Sequence, residues 1–204
     1  MVRLRSFGLR RTSLRPYHER YISLIKQAVP GKPIRYVVLT HHHGDHMGGV
    51  RAFIAEGATV LAPPATAALV ERVAAAPHTL AADRLSAAPR ALRLEVVRGE
   101  RTVADGRRTI TLVDVGENPH GVEMLVAHLP AERLMFVSDL LDPTAVERYP
   151  KPGHAALDRF FGGWLTRSGL SPERIYTMHG SGLVTREHLA RLRETGAERK
   201  QGPR

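Results

Sequence analysis

The sequence predicts an α/β protein in which sheet packs on sheet with helices outside. Three observations carry that expectation. β-Branched and aromatic runs of strand length alternate along the chain with segments of helical spacing. A dense group of histidines stands directly behind one such strand and ahead of a helix, where a scaffold presents functional side chains. No internal repeat is visible, so one irregular domain is expected rather than a solenoid or propeller.

Met1 to Pro16 is rich in arginine and poor in acids, with no period of two or 3.6. Residues 1–16 therefore read as a disordered basic tail, and residues 17–204 as a single domain. Tyr17 to Ala28 has helical spacing and is ended by Pro30-Gly31-Lys32-Pro33. Ile34 to Leu39 reads as a buried strand. After the histidine cluster, Val50 to Glu56 is helical up to a stop at Gly57. Ala58 to Ala62 is a strand stopped by Pro63-Pro64, and Ala65 to Ala75 a helix with Leu69, Val70 and Val73 on its apolar side. Pro77 to Pro89 has no strong pattern and reads as a connector. Strands follow at Leu92–Val97, Thr102–Val103, Thr109–Val115, Met124–Leu129 and Leu134–Val137. Residues 155–167 form a helix with the stripe Leu157, Phe160, Phe161, Trp164 and Leu165, which reads as core. Ile175 to Met178 is a last strand and Thr185 to Glu194 a last helix.

Composition closes several classes. The chain has 204 residues, enough for a substantial core, and its hydrophobic share of 43% is that of a globular protein. No apolar run reaches the roughly 18 residues of a membrane span. No apolar segment near Met1 resembles a secretory signal, so a cytoplasmic protein is expected. The absence of cysteine excludes disulfides and thiolate ligands, leaving imidazole and carboxylate for any metal. The net charge of +10 does not by itself indicate nucleic acid. Residues 1–20 hold Arg3, Arg5, Arg10, Arg11, Arg15 and Arg20 against Glu19, a surplus of five that is half the total. The remainder is scattered, with few aromatics to stack on bases, so a nucleic-acid partner is disfavoured.

The informative stretch is Thr40-His41-His42-His43-Gly44-Asp45-His46-Met47-Gly48-Gly49. In an extended chain His41, His43 and Asp45 point to one side and His42 to the other. Neutral imidazole and carboxylate at this density suit zinc and similar first-row metals. A tag-like histidine run has no reason to contain Gly44-Asp45 or to follow a strand.

His41-x-His43-x-Asp45-His46, with Thr40 before it and Gly48-Gly49 after, resembles the signature of the metallo-β-lactamase fold superfamily. The resemblance covers about residues 30 to 190 and implies a four-layer αββα sandwich with metals at one edge of the two sheets. That family opens with several strands before the motif; this chain shows a helix-like segment there, so the first sheet is expected to be incomplete. The family places a third histidine, a bridging aspartate and a last histidine downstream, each after a strand. His120, Asp139 and His179 stand in that order behind the strands ending at Val115, Val137 and Met178. The resemblance thus implies His41, His43 and His120 on one metal, Asp45, His46 and His179 on a second, and Asp139 between them. It implies two zinc ions per chain, other divalent first-row metals being possible, with Asp45 also catalytic, orienting the hydroxide shared by the metals. The remaining histidines read as structural: His42 as packing, His154 as a helix cap, His18 and His188 on helices, His78 in the connector and His128 in a strand.

The expected function is hydrolysis of an activated acyl bond in a small-molecule substrate: a lactone, thioester or related ester. Similar proteins with aspartate at the bridging position include thioesterases, lactonases and phosphodiesterases, whereas β-lactam-cleaving members more often carry another residue. Diiron oxidoreductases of this fold place a carboxylate where His43 stands. The alternatives are a β-lactamase or phosphodiesterase of the same fold, or a degenerate, partner-dependent metal-binding member. An incomplete first sheet would leave an open strand edge, which a homodimer could cover.

Overall fold

The computed structural model describes residues 15–143, 153–180, 183–185 and 187–191. The basic tail expected over 1–16 lies outside them except for Arg15 and Pro16, which open the first helix. The chain divides into two compact units, one ending at Arg98 and the other beginning at Gly99.

The first unit runs α1 (Arg15–Ala28), β1 (Tyr36–Val38), α2 (Gly44–Met47), α3 (Val50–Ala55), β2 (Thr59–Ala62), α4 (Pro64–Ala75), α5 (Arg84–Ala87) and β3 (Arg93–Val96). Its sheet has the order β1-β2-β3 and is parallel throughout, with Tyr36 opposite Thr59 and Thr59 opposite Arg93. Parallel neighbours cannot be joined by a tight turn, so helices carry the chain back between them. That requirement places α2 and α3 after β1, and α4 and α5 after β2. The core beneath gathers Leu39, Val50, Ile54, Val60 and Val70, all nearly inaccessible. The stop expected at Pro63-Pro64 is a helix start: Pro64 is the first residue of α4, where its fixed φ is pre-set and its missing N–H costs nothing.

Two expectations for this unit need correction. Ile34–Leu39 is not a buried strand along its length: β1 is three residues long, with Tyr36 and Val37 half-buried and Val38 exposed. The reason is position, since β1 pairs with β2 alone among the described residues and is an edge. The connector 77–89 is not structureless either. Asp83 caps α5, its carboxylate accepting the Ser86 N–H at 2.9 Å, and Leu85 is buried.

The second unit runs β4 (Glu100–Ala104), β5 (Thr109–Asp114), β6 (Leu125–Leu129), β7 (Leu134–Phe136), α6 (Ala155–Ser168), β8 (Arg174–Tyr176) and β9 (Leu183–Val184). Its sheet has the order β4-β5-β6-β7-β8-β9 and is antiparallel except where β7 and β8 pair in parallel. That one parallel step is the one spanned by α6. Phe161 and Leu165 are buried with Met124, Met135, Leu140 and Ile175, while Leu157, Phe160 and Trp164 pack alongside, so the aromatic stripe is core as expected. The short β9 was not expected from the sequence. Of the helix expected over Thr185–Glu194, residues 187–191 are helical; residue 186 and residues 192–194 lie outside the described residues. Thr185 starts that turn: its N–H donates to His188 Nδ1 at 3.1 Å, and the His188 N–H donates back to Thr185 Oγ1 at 3.3 Å. Among the described residues, no helix is long and apolar enough to cross a membrane.

Candidate metal centre

In the first unit the donors sit on the loop that leaves β1. The Leu39 N–H donates to the Leu61 carbonyl at 2.9 Å, so strand pairing persists up to the residue before Thr40. His41, 1% exposed, is the most enclosed of the group, and its Nδ1 lies 3.1 Å from Thr40 Oγ1. The His43 and His46 rings lie 4.5 and 4.4 Å from its own, centroid to centroid. The loop is not extended, however. It bends at His41 and His42, and α2 begins at Gly44, with the Met47 and Gly48 N–H groups donating to the His43 and Gly44 carbonyls. The expected alternation therefore ends at His43. Asp45 and His46 come to the donor cluster on a helical turn instead, with Asp45 Oδ2 3.3 Å from His46 Nε2. His42, 6.3 Å from His41, packs beside His43 at 4.9 Å.

In the second unit three loops bring His120, Asp139 and His179 together. Asp139 follows β7 in the segment Val137-Ser138-Asp139, where Val137 and Ser138 are buried and the Val137 N–H donates to the Tyr176 carbonyl at 2.8 Å. Its two carboxylate oxygens are divided between the histidines. Oδ2 is 3.0 Å from His120 Nε2, and Oδ1 is 3.1 Å from His179 Nε2. Ser138 Oγ donates to Oδ1 at 3.0 Å, fixing the carboxylate's rotation. His179 lies beyond β8, where Thr177 Oγ1 donates to its carbonyl. Gly180 follows with φ +70°, and any side chain there would strike Asp142 and the backbone of Pro143.

His120 is placed by Asn118, whose part the pattern of the sequence does not announce. Asn118 Oδ1 accepts the N–H of His120 at 2.9 Å and of Gly121 at 3.2 Å, while Asn118 Nδ2 donates to the Gly116 carbonyl at 2.9 Å. The backbones of Asn118 and Gly121 also exchange hydrogen bonds, closing a tight turn with the imidazole at its tip. The available signal was Gly116-Glu117-Asn118-Pro119, since asparagine readily bonds its backbone two residues on. Asn118→Ala is expected to keep the fold and to weaken metal binding roughly ten-fold or more, the scale typical of residues that orient ligands. Competition against a chromophoric chelator measures it.

His154 does not cap α6 with its side chain as expected. It occupies the cap position with φ −98° and ψ −4°, a helical rather than extended backbone, which does not aim a side chain at the first N–H groups.

The donors fit divalent cations. Imidazole and carboxylate are the ligands of zinc and of non-haem iron, and a carboxylate that directs one oxygen to each of two imidazoles has the form of a bridging ligand. Each unit thus carries a pre-assembled donor set: His41, His43, Asp45 and His46 in one, His120, Asp139 and His179 in the other.

A sequence profile described as the metallo-beta-lactamase superfamily matches residues 9–179. Among curated proteins none matches. Similar solved structures include a rubredoxin oxygen:oxidoreductase from Desulfovibrio gigas, at 17% identity and TM-score 0.61, over 95% of this chain and 51% of that one. A metallo-beta-lactamase from Pontibacter korlensis is similar at 18% identity and TM-score 0.60, over 86% of this chain and 76% of that one. A flavodiiron protein from Giardia intestinalis is similar at 15% identity and TM-score 0.60, over 91% of this chain and 46% of that one. The chain spans about half the length of the Desulfovibrio and Giardia proteins. At these identities the likeness is one of fold.

Proposed function

The chain belongs to the metallo-β-lactamase superfamily, and from that premise we propose that it is a zinc-dependent hydrolase of an activated acyl bond, a lactone, thioester or related ester. The observation that carries the reading is the set of seven nitrogen and oxygen donors, with Asp139 dividing its carboxylate between two histidines. In this reading, which carries over the family's order of ligands, His41, His43 and His120 would serve one ion and Asp45, His46 and His179 the other, with Asp139 between them.

Zinc held by these residues would supply a bound water with its pKa lowered to about 7 and a Lewis acid for the carbonyl. The chain's own residues do the rest. A proton on His41 Nδ1 donated to Thr40 Oγ1 leaves Nε2 with the lone pair a metal needs. Ser138 and Asn118 hold Asp139 and His120 in register, so that the donors need little rearrangement. In this reading Asp45, exposed on its helical turn, would orient the attacking water and accept its proton. An imidazole at position 43, where diiron oxidoreductases of this fold carry a carboxylate, favours hydrolysis over redox chemistry.

The test has two parts. Zinc-reconstituted protein is expected to hold close to two equivalents per chain by elemental analysis. It is also expected to turn over at least one member of a panel of lactones, thioesters, phosphodiesters and β-lactams, and to lose that activity on chelation. No bound metal after reconstitution would defeat the whole reading. Two bound metals with no turnover would support the degenerate alternative, and turnover of the phosphodiester or β-lactam alone would replace the acyl-ester substrate class.

A further inference from the structure

The N-terminal end of the first sheet carries cations that the metal chemistry does not use. Gly57 closes α3 and turns the chain into β2 with φ +83°, a conformation that L side chains rarely adopt. Where its Cβ would stand, the Arg90 guanidinium fills the space, with Arg90 Cζ 3.6 Å and Arg93 Nη2 3.4 Å from that point. Two guanidinium groups therefore converge over one backbone turn. A third arginine flanks the same row: Arg35 precedes β1, its carbonyl accepting the Thr59 N–H at 2.8 Å, and Thr59 lies opposite Arg93 in the register. The Arg35 guanidinium lies over the Tyr36 ring, 5.5 Å from its centroid.

Among the described residues none of these three arginines has a carboxylate partner. The acid next to Gly57 is already matched: Glu56 pairs with Lys26 at 2.6 Å and also with Arg84. Glu19, the next acid on α1, pairs with Arg84 at 3.2 Å. Like charges brought together without an acid between them repel, and an anion relieves that repulsion. Guanidinium forks match phosphate oxygens in pairs, and two or three such forks match more than one phosphoryl group. The site lies at the opposite end of β1 from His41, because Arg35 enters the strand that the metal loop leaves.

We propose that Arg90 and Arg93, converging around Gly57, with Arg35 at the adjoining strand end, form a binding site for a small diphosphate-bearing anion, separate from the metal centre. The glycine is part of the site: its missing side chain leaves room for the Arg90 guanidinium.

The probe is inorganic pyrophosphate, titrated into ¹⁵N-labelled protein at physiological ionic strength and followed by amide chemical shifts. Saturable shifts centred on Gly57, Thr59 and Arg93 are expected. The double variant Arg90→Gln/Arg93→Gln is expected to weaken that binding about ten-fold or more, as loss of two charge-assisted forks implies. Arg107→Gln/Arg108→Gln removes the same charge from the β4–β5 turn and is expected to leave the affinity unchanged. The proposal is overturned if the Gly57 amide shifts without saturation, if the two double variants weaken binding alike, or if the saturable shifts fall on the His41–His46 loop instead. Amide dispersion in each variant verifies folding, and the single variant Arg93→Gln gives an intermediate loss if the site is as described.

Discussion

Asp139→Ala is expected to lower metal affinity by at least about 100-fold and to abolish turnover while leaving the protein folded. The lower bound follows because residues that merely orient ligands already cost roughly 10–100-fold when removed. Asp139 does more, since its two oxygens lie 3.0 and 3.1 Å from His120 and His179. Without it those imidazoles lose the anion between them, and on the proposed reading the ions would lose a shared ligand. Folding survives because the core under the loop is apolar and separate: Val137, Leu140 and Leu141 remain buried whatever occupies position 139. Asp139→Asn makes a sharper comparison, keeping the shape and the Ser138 contact but not the charge. Isothermal titration with zinc against a competing chelator, with thermal melting as a control, measures both variants. Wild-type zinc affinity in Asp139→Ala would remove Asp139 from the ligand set.

Much of the fold was readable because hydrophobic pattern and turn chemistry agreed along the chain. Each strand that forms the core of a sheet, and each of the long helices, stands where its pattern placed it. The misses have specific causes. α5 rests on one capping bond from Asp83 to Ser86, and a single Asp-x-x-Ser in an alanine-rich connector is too weak a period to stand out. β9 is two residues long and exists through its pairing with β8, a tertiary fact with no local signature. The burial expected for Ile34–Leu39 was wrong because apolar composition does not tell a central strand from an edge strand. The histidines and aspartates that cluster within each unit stand out in the sequence by motif and order, but the geometry joining Asp45 to its neighbours does not. Alternation assumed an extended loop, whereas hydrogen bonds to the His43 and Gly44 carbonyls wind it into a helical turn. Asn118 was missed for a similar reason, since its role lies in bonds to its own turn rather than in any charge.

Arg51→Ala is expected to destabilise the protein by about 3–5 kcal/mol, the scale of stripping one partner from a buried ion pair. Arg51 follows the metal loop at the start of α3, and its side chain is 9% exposed. Its guanidinium donates to Asp83 through Nε at 2.6 Å and Nη2 at 3.1 Å, to Ser86 Oγ, and to the carbonyls of Val73, Ala74 and Ala76. One side chain thereby satisfies the carbonyls at the end of α4, the cap of α5 and the charge of Asp83. Lysine cannot replace it, having one nitrogen where the site uses three. At this chain length the loss corresponds to a fall in Tm of roughly 6–20 °C. Acid distinguishes the mechanism from simple loss of packing. The hydrogen bond from Arg51, reinforced by the Ser86 N–H and hydroxyl against the opposing effect of burial, holds the Asp83 carboxyl well below its ordinary value of 3.8. A carboxyl with a depressed folded pKa contributes stability that is complete above the unfolded value and is lost as pH falls below it. The wild type should therefore lose Tm steeply below about pH 4, and Arg51→Ala should lose less over the same interval. His78, whose Nδ1 is 3.6 Å from Asp83, offers only partial replacement when protonated. Thermal melts of both proteins from neutral to acid pH make the comparison. Parallel curves would mean that the Arg51–Asp83 pair does not carry the stability assigned to it.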